Sequence, residues 1–379
     1  MSQLQEEGDL IAAPTPRRQR RPRSGAPLAA SVEAQLGLFP EFAETTASRR
    51  APDQLIVAPD RGSQDPPEKS SQPHPKNTLN DMSGERFLYF TKSVLQTAYP
   101  SIYSHKLRKQ HGANKPPQIM ALLIEFFTKA GMTVLDPFAG VGGTLIGASI
   151  AQPAPRRAIG IEISEQWATI YQQVLKENPT LLPQALVRGD CLAIMGNWLR
   201  GEALPEAGGT TLLPDAHGAL FDFITMDPPY NIHLEQTMSG KGGEKYAVEH
   251  NNRRSDYNMR SEHAQDLANL ANYADYLDAM EDVFTNCFTL LRPGRYMAVI
   301  VRNAYQNGEY IFTSVDLARR AQKVGFVPKG ETIWYQAGTK LRPYGYPYSY
   351  VPNITHQYIV ILQRPRAEKG KAARVRPHE

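Results

Sequence analysis

Hydrophobic positions along the chain fall into two regimes, with a change near residue 84. Before it, apolar residues are scattered among prolines, serines, glutamines and arginines, and no helical or strand period runs for a useful length. After it, short apolar runs are separated by glycines, prolines and polar clusters. The spacing of Ile119, Leu122, Leu123, Phe126 and Phe127 predicts a helix over 117–130, with Gly131 as its C-cap. Thr133-Val134-Leu135 reads as a short buried strand, followed by a glycine turn over 140–143 and a helix over 144–151. The pattern then continues: strand 158–163 and helix 165–176, strand 185–189 and helix 192–199, strand 221–226, helix 274–291, strand 296–301 and helix 317–324. Two last strands, 331–335 and 357–362, have no helix between them and are expected to pair as an antiparallel hairpin at one edge. Strands alternating with helices imply an α/β fold on a mostly parallel sheet.

Composition sharpens the division. Eleven of the 30 prolines fall within residues 1–80. Too little apolar surface is present there to offset the entropy of ordering, so residues 1–83 are expected to be a disordered tail. The tail holds a basic run (Arg17, Arg18, Arg20, Arg21, Arg23) and one apolar island, Gln35-Leu36-Gly37-Leu38-Phe39. Residues 84–364 read as the folded domain, and 365–379 as a second basic, disordered tail. With 42 Lys and Arg against 38 Asp and Glu, the net charge of +4 is compatible with a nucleic-acid partner without demanding one. Only two cysteines, Cys191 and Cys287, are present, which excludes a disulfide framework and a cysteine-rich zinc site and points to a reducing compartment. No run of 18 apolar residues reads as a membrane helix, and no apolar segment follows the first charges as in a secretory signal. A cytoplasmic, nucleoid-associated protein without a metal is expected.

Candidate chemistry lies at the strand ends, because an open α/β sheet binds ligands beyond the carboxyl ends of its strands. The first strand runs into Asp136-Pro137-Phe138-Ala139-Gly140-Val141-Gly142-Gly143-Thr144, whose glycines let a ligand approach backbone N–H groups at a helix start. The second ends in Glu162, placed to accept from ribose hydroxyls. The third ends in Asp190, placed to accept from an adenine amino group. No Gly-Lys-Ser/Thr follows the turn, and the G-x-G-x-x-G register is incomplete, so a nucleoside without a pyrophosphate fits better than a nucleotide. The fourth strand ends in Asp227-Pro228-Pro229-Tyr230. Two prolines hold that backbone rigid. A carboxylate and a carbonyl side by side can accept both protons of an exocyclic amino group, and Tyr230 offers a flat face to a planar base.

These residues resemble the amino-methylating DNA methyltransferases, specific for adenine N6 or cytosine N4. The resemblance covers roughly residues 84–364. DPFAGVGGT (136–144) is similar to the family's S-adenosylmethionine loop, GIEI (160–163) to its ribose acid, GD (189–190) with the adjoining Cys191 to its adenine contact, and DPPY (227–230) to its catalytic loop. Lys115-Pro116 resembles the lysine-proline motif beside the methionine end of the cofactor, and 356–362 the closing strand, with Gln357 where Glu is more usual. The resemblance implies a Rossmann-like class I methyltransferase sheet, S-adenosylmethionine as cofactor, DNA as substrate and a flipped-out target base. Many relatives place DPPY first; here the cofactor motifs come first, as in a circular permutation. Adenine N6 is the favoured target. Cytosine N4, an RNA or protein-glutamine acceptor, and a non-catalytic DNA-binding adaptor are the alternatives.

Three further segments attract attention. Residues 231–270 are long for a strand-to-helix connection and carry Lys241, Lys245, Arg253 and Arg254 among aromatic residues, as a loop gripping DNA phosphates would. The basic stretch 104–111 suggests further phosphate contacts through Arg108 and Lys109. Arg342-Pro343-Tyr344-Gly345-Tyr346-Pro347-Tyr348 either lines the entrance for the base or packs. In the tail, Gln35, Leu36, Leu38 and Phe39 resemble the Gln-Leu-x-Leu-Phe peptide by which bacterial proteins bind the sliding clamp, which implies a tether to replicating DNA.

Overall fold

The computed structural model describes residues 72–97, 99, 101–207, 218–229, 263–306, 308–336, 339 and 341–366. In chain order these form α1 (Gly84–Phe90), β1 (Val94–Thr97), α2 (His105–Arg108), α3 (Pro117–Phe127), β2 (Thr133–Asp136), α4 (Gly143–Ile150), β3 (Arg157–Glu162), α5 (Glu165–Glu177), β4 (Ala185–Arg188), α6 (Cys191–Leu199), β5 (Phe221–Met226), α7 (Tyr273–Leu290), β6 (Leu291–Val301), β7 (Ala304–Gln306), β8 (Glu309–Ile311), α8 (Thr313–Val324), β9 (Val327–Gln336) and β10 (His356–Gln363). An eight-stranded sheet has the order β1-β9-β10-β6-β5-β2-β3-β4. β10 alone runs antiparallel to its neighbours.

Alternation along the strands builds two cores. Leu135 and Ile224 face one cluster, which includes Met280, Phe284 and Leu317 of α7 and α8. Their neighbours Val134 and Phe223 face the other, against Ile119, Leu123 and Phe127 of α3. Phe127 stacks on Phe223 at 5.0 Å between ring centroids. Each such fully buried side chain contributes about 1.5–3 kcal/mol. The sheet is thereby covered on both faces, as continuous apolar strands such as Phe221–Met226 require.

The elements predicted over 117–362 are present, with instructive differences. α3 begins at Pro117, a residue suited to the first helical position. It ends at Phe127 rather than at 130, because Thr128 turns to extended backbone (φ −138°, ψ 155°). There the buried Arg156 guanidinium donates to the Thr128 carbonyl and hydroxyl oxygens, each at 3.1 Å. A cation with donors at a helix C-terminus meets both the dipole and the unpaired carbonyls, so Arg156 is the cap and Gly131 belongs to the following turn. Pro293-Gly294 does not delay the strand after α7. β6 starts at Leu291, and the pair sits inside a register shift between Phe221↔Leu291 and Phe223↔Tyr296.

The hairpin of β9 and β10 is present, and β1 lies outside it, parallel to β9. Trp334, 1% exposed, donates its indole N–H to Thr97 Oγ1 at 2.7 Å and fixes that pairing. The folded domain also begins before residue 84. Asn80 donates to Phe126 O at 2.7 Å, Asp81 lies 3.7 Å from Arg156, and Met82 is buried. Order therefore begins a few residues before the expected boundary at 84, with Leu79 and Met82 packed in the core that includes α3.

Candidate active site

The carboxyl ends of β2, β3, β4 and β5 meet at one open cleft. Its walls include Pro137, Phe138 and Gly140 after β2, Glu162 to Ser164 at β3, Gly189 to Cys191 after β4, and Asp227 to Pro229 after β5. Four segments far apart in the chain converge because parallel strands end on the same edge of a sheet.

The loop after β2 divides its labour. Asp136 is turned inward: its carboxylate accepts from Phe138 N at 2.9 Å and from the Thr144 hydroxyl. Burial raises its pKa to about 7, against the opposing pull of the Thr144 hydrogen bond. Ala139 N donates to Ile161 O at 2.8 Å. Gly142 has φ +80°, and a Cβ there would meet the Tyr171 ring at 2.1 Å; one at Gly143 would meet the Lys115 carbonyl at 3.1 Å. Asp136, Ala139, Gly142, Gly143 and Thr144 therefore shape the loop from behind. Pro137, Phe138 and Gly140 face the cleft.

Glu162 accepts from Gly140 N and Ser164 N, both at 2.8 Å. Burial lifts it to about 7, with those backbone hydrogen bonds opposing the rise. The side chain also lines the cleft. Asp190 is the N-cap of α6, accepting from Leu192 N and Ala193 N, and it also lines the cleft. The Cys191 thiol is buried in the wall, and burial pushes its pKa well up.

At β5, the Asp227 carboxylate forms an ion pair with the Lys115 ammonium, whose side chain is only 7% exposed. Lys115, expected at the methionine end of the cofactor, thus reaches the Asp227-Pro228-Pro229 turn. Its backbone carbonyl accepts from Arg108 Nη1 at 3.2 Å. Arg108 also donates to the carbonyls of Tyr103 and Ile102, at 2.9 and 3.3 Å. At 1% exposure its guanidinium holds the 102–115 strap together, and burial lowers its pKa to about 10. The expected phosphate contact through Arg108 is therefore corrected: the donors are turned inward onto backbone. Lys109 is half-buried at the start of a short 3₁₀ turn.

The same strap carries a residue that sequence reasoning passed over. His111 lies edge-on to Trp167 at 4.8 Å and stands above Gly140, where a Cβ would come within 3.4 Å of Nε2. Its Nδ1 is buried without a hydrogen-bond partner, and burial lowers its pKa to about 4. Gln265, Asp266 and Leu267 close another side of the cleft. No local spacing signals it, because residues 112–115 leave the helical turn and the burial of His111 comes from packing on Trp167 and Gly140. Tyr230, Lys241, Lys245, Arg253 and Arg254 lie outside the described residues, as do Gln35, Leu36, Leu38 and Phe39.

A buried imidazole nitrogen without a partner, two acids and an aromatic wall suit a nucleoside bearing a charged tail. Against solved structures, the chain is similar to TrmN from Thermus thermophilus (16% identity, 71% of this chain and 54% of that one, TM-score 0.39). It is also similar to a methyltransferase from Pyrococcus furiosus (14% identity, 66% and 83%, TM-score 0.34). An Escherichia coli (strain K12) protein named "Putative methylase YubD" is 38% identical over 82 residues, which span 22% of this chain and 35% of that protein. The sequence profile of the DNA methylases of the N6/N4 type matches residues 60–173 and 221–378, most of the chain, which belongs to that family.

Proposed function

We propose that the protein transfers a methyl group from S-adenosylmethionine to the N6 amino group of adenine in DNA. The observation that carries this reading is the meeting of Asp227-Pro228-Pro229 with Gly140, Glu162 and Asp190 in one cleft. Bound there, S-adenosylmethionine supplies an electrophilic methyl group. Glu162 accepts from its ribose hydroxyls, Asp190 from its adenine amino group, and Gly140 leaves room for its backbone to approach. His111, neutral at physiological pH, hydrogen-bonds the amino-acid end without adding a charge.

On the acceptor side, a base inside a duplex cannot reach this cleft and must be extruded. The Asp227 carboxylate and the Pro228 carbonyl hold its amino group and turn the nitrogen lone pair towards the methyl group. Tyr230, next in the chain, stacks on the base. Holding both reactants in line removes several kcal/mol of the barrier. The loop with Lys241, Lys245, Arg253 and Arg254 grips phosphates, and the peptide at 35–39 docks a sliding clamp. An aspartate at the first position of the catalytic loop favours adenine over cytosine. The test is incubation with labelled S-adenosylmethionine and amplified, unmodified DNA, followed by digestion to nucleosides. N6-methyladenine is the expected product. N4-methylcytosine would move the target, and label found only in RNA or protein would overturn the reading.

A further inference from the structure

The connection between β9 and β10 leaves the sheet at the same edge as the catalytic loop. β5 pairs Met226 with Val299 of β6, and β6 pairs Val301 with Tyr358 of β10. His356, where β10 begins, pairs with Tyr335 of β9. Strands lie about 4.8 Å apart, so the base of this connection stands roughly 10–15 Å from Asp227-Pro228 across the sheet edge. It stands on the side away from β3 and β4, where Glu162 and Asp190 lie.

Within this connection, residues 341–353 form a closed loop of fixed backbone. Asn353 clasps Arg342 in both directions: Arg342 N donates to Asn353 Oδ1 and Asn353 Nδ2 donates to Arg342 O, both at 2.8 Å. Gly345, at φ +72°, accepts from Tyr348 N and Ser349 N, both at 2.8 Å. Arg302 donates to the Ile354 carbonyl, and the Tyr305 hydroxyl to Tyr350 O at 3.5 Å. A backbone tied in this way would ordinarily turn its aromatic side chains inward. Instead Tyr346, Tyr348 and Tyr350 are 80%, 94% and 84% exposed. Rigid loops that present tyrosines to solvent offer large, flat contact area at low entropic cost. The sequence from 337 to 356 contains no acidic residue and carries Lys340, Arg342 and His356, which suits a polyanion.

We propose that this tyrosine loop is a DNA-contact surface, in which Tyr346, Tyr348 and Tyr350 stack on bases unpaired around the extruded nucleotide while Arg342 meets a neighbouring phosphate. Aromatic faces stack on every base, so the surface grips opened DNA with little sequence preference. The proposal rests on the reading that the chain acts on DNA.

The test uses the full chain with Tyr346, Tyr348 and Tyr350 all replaced by serine, and a second variant with all three replaced by phenylalanine. The readouts are KM for amplified DNA, affinity for a fluorescent single-stranded oligonucleotide, S-adenosylmethionine affinity by calorimetry, and sedimentation. Because the rings make no internal packing, the melting temperature of both variants matches wild type. The serine variant is expected to lose tenfold or more in KM for DNA and in oligonucleotide affinity, with cofactor affinity within twofold; the phenylalanine variant keeps most of both. A serine variant within twofold of wild type in both DNA measurements overturns the proposal, and so does one that changes only self-association. If wild type itself transfers nothing to DNA, the reading beneath the proposal falls and the proposal with it.

Discussion

Two Asp-Pro turns close neighbouring strands of this sheet, at Asp136-Pro137 after β2 and at Asp227-Pro228 after β5. Asp136 is 4% exposed and spends its oxygens on Phe138 N and the Thr144 hydroxyl. Asp227 faces the cleft and its partner is a cation, Lys115. One carboxylate therefore holds a loop in shape, and the other forms an ion pair at the wall of the cleft. The dipeptide does not decide the role; the partner does. Full burial favours an uncharged acid at Asp136 even against its hydroxyl and amide donors.

Replacing each aspartate separates the two roles. Asp227→Asn keeps shape and one acceptor oxygen but removes the negative charge and the base for the amino proton, so the expected loss in kcat is about a thousandfold, within the range for general base catalysis. S-adenosylmethionine affinity should stay within a few-fold by calorimetry. A variant with wild-type turnover would assign the chemistry to another group. Glu162→Ala tests the cofactor side of the cleft. Loss of a charge-assisted hydrogen bond costs about 1.5–3 kcal/mol, or roughly 10- to 150-fold in cofactor affinity. DNA affinity should not change, and unchanged cofactor affinity would move the nucleoside elsewhere.

The partner of Asp227 gives a smaller and more diagnostic effect. Lys115→Met frees the carboxylate to rotate, and the expected loss in kcat is about tenfold, equivalent to about 1.4 kcal/mol. Lys115→Arg keeps a cation against Asp227 and should recover most of it. If Lys115 served only to pack the strap, methionine would pack as well as arginine, and single-turnover rates of the two variants would be equal.

The contrast also marks how far sequence carries. Strand ends were legible because a short apolar run with a Gly or Pro close behind it is a local signal, and Phe221–Met226 appears with the bounds predicted for it. Partners were not legible. Nothing in the spacing of Arg108 shows a guanidinium folded onto the carbonyls of Ile102, Tyr103 and Lys115, because a charged residue reads as surface until its donors are located. β1 escaped notice for a related reason: Val94–Thr97 is four residues long and half-polar, and its place is fixed by Trp334 more than two hundred residues later. In the loop 136–144 the motif was legible as a unit, but the division between residues facing the cleft and residues behind it depends on packing against Tyr171 and Lys115.

The smallest effect tests the scaffold role of Asp136 through pH. Burial raises Asp136 from 3.8 to about 7 and Glu162 from 4.5 to about 7. Between those limits the folded state binds more protons than the unfolded state, so stability falls as pH rises. The contribution of each group is complete below its unfolded value and is lost as pH passes through about 7. Asp136→Asn carries no such proton. It keeps an oxygen for Phe138 N, while its amide donor faces the Thr144 hydroxyl, which can turn to accept. The variant should therefore melt close to wild type at pH 5, where protonated Asp136 is bonded on both sides. Towards pH 8, where wild type must bury a charge, it should melt a few degrees higher. Glu162→Gln should gain on wild type in the same direction. Parallel melting curves for wild type and Asp136→Asn from pH 5 to 8, followed by scanning calorimetry without cofactor, would show that Asp136 is charged in the folded protein. The two Asp-Pro turns would then differ only in their partners and not in their charge.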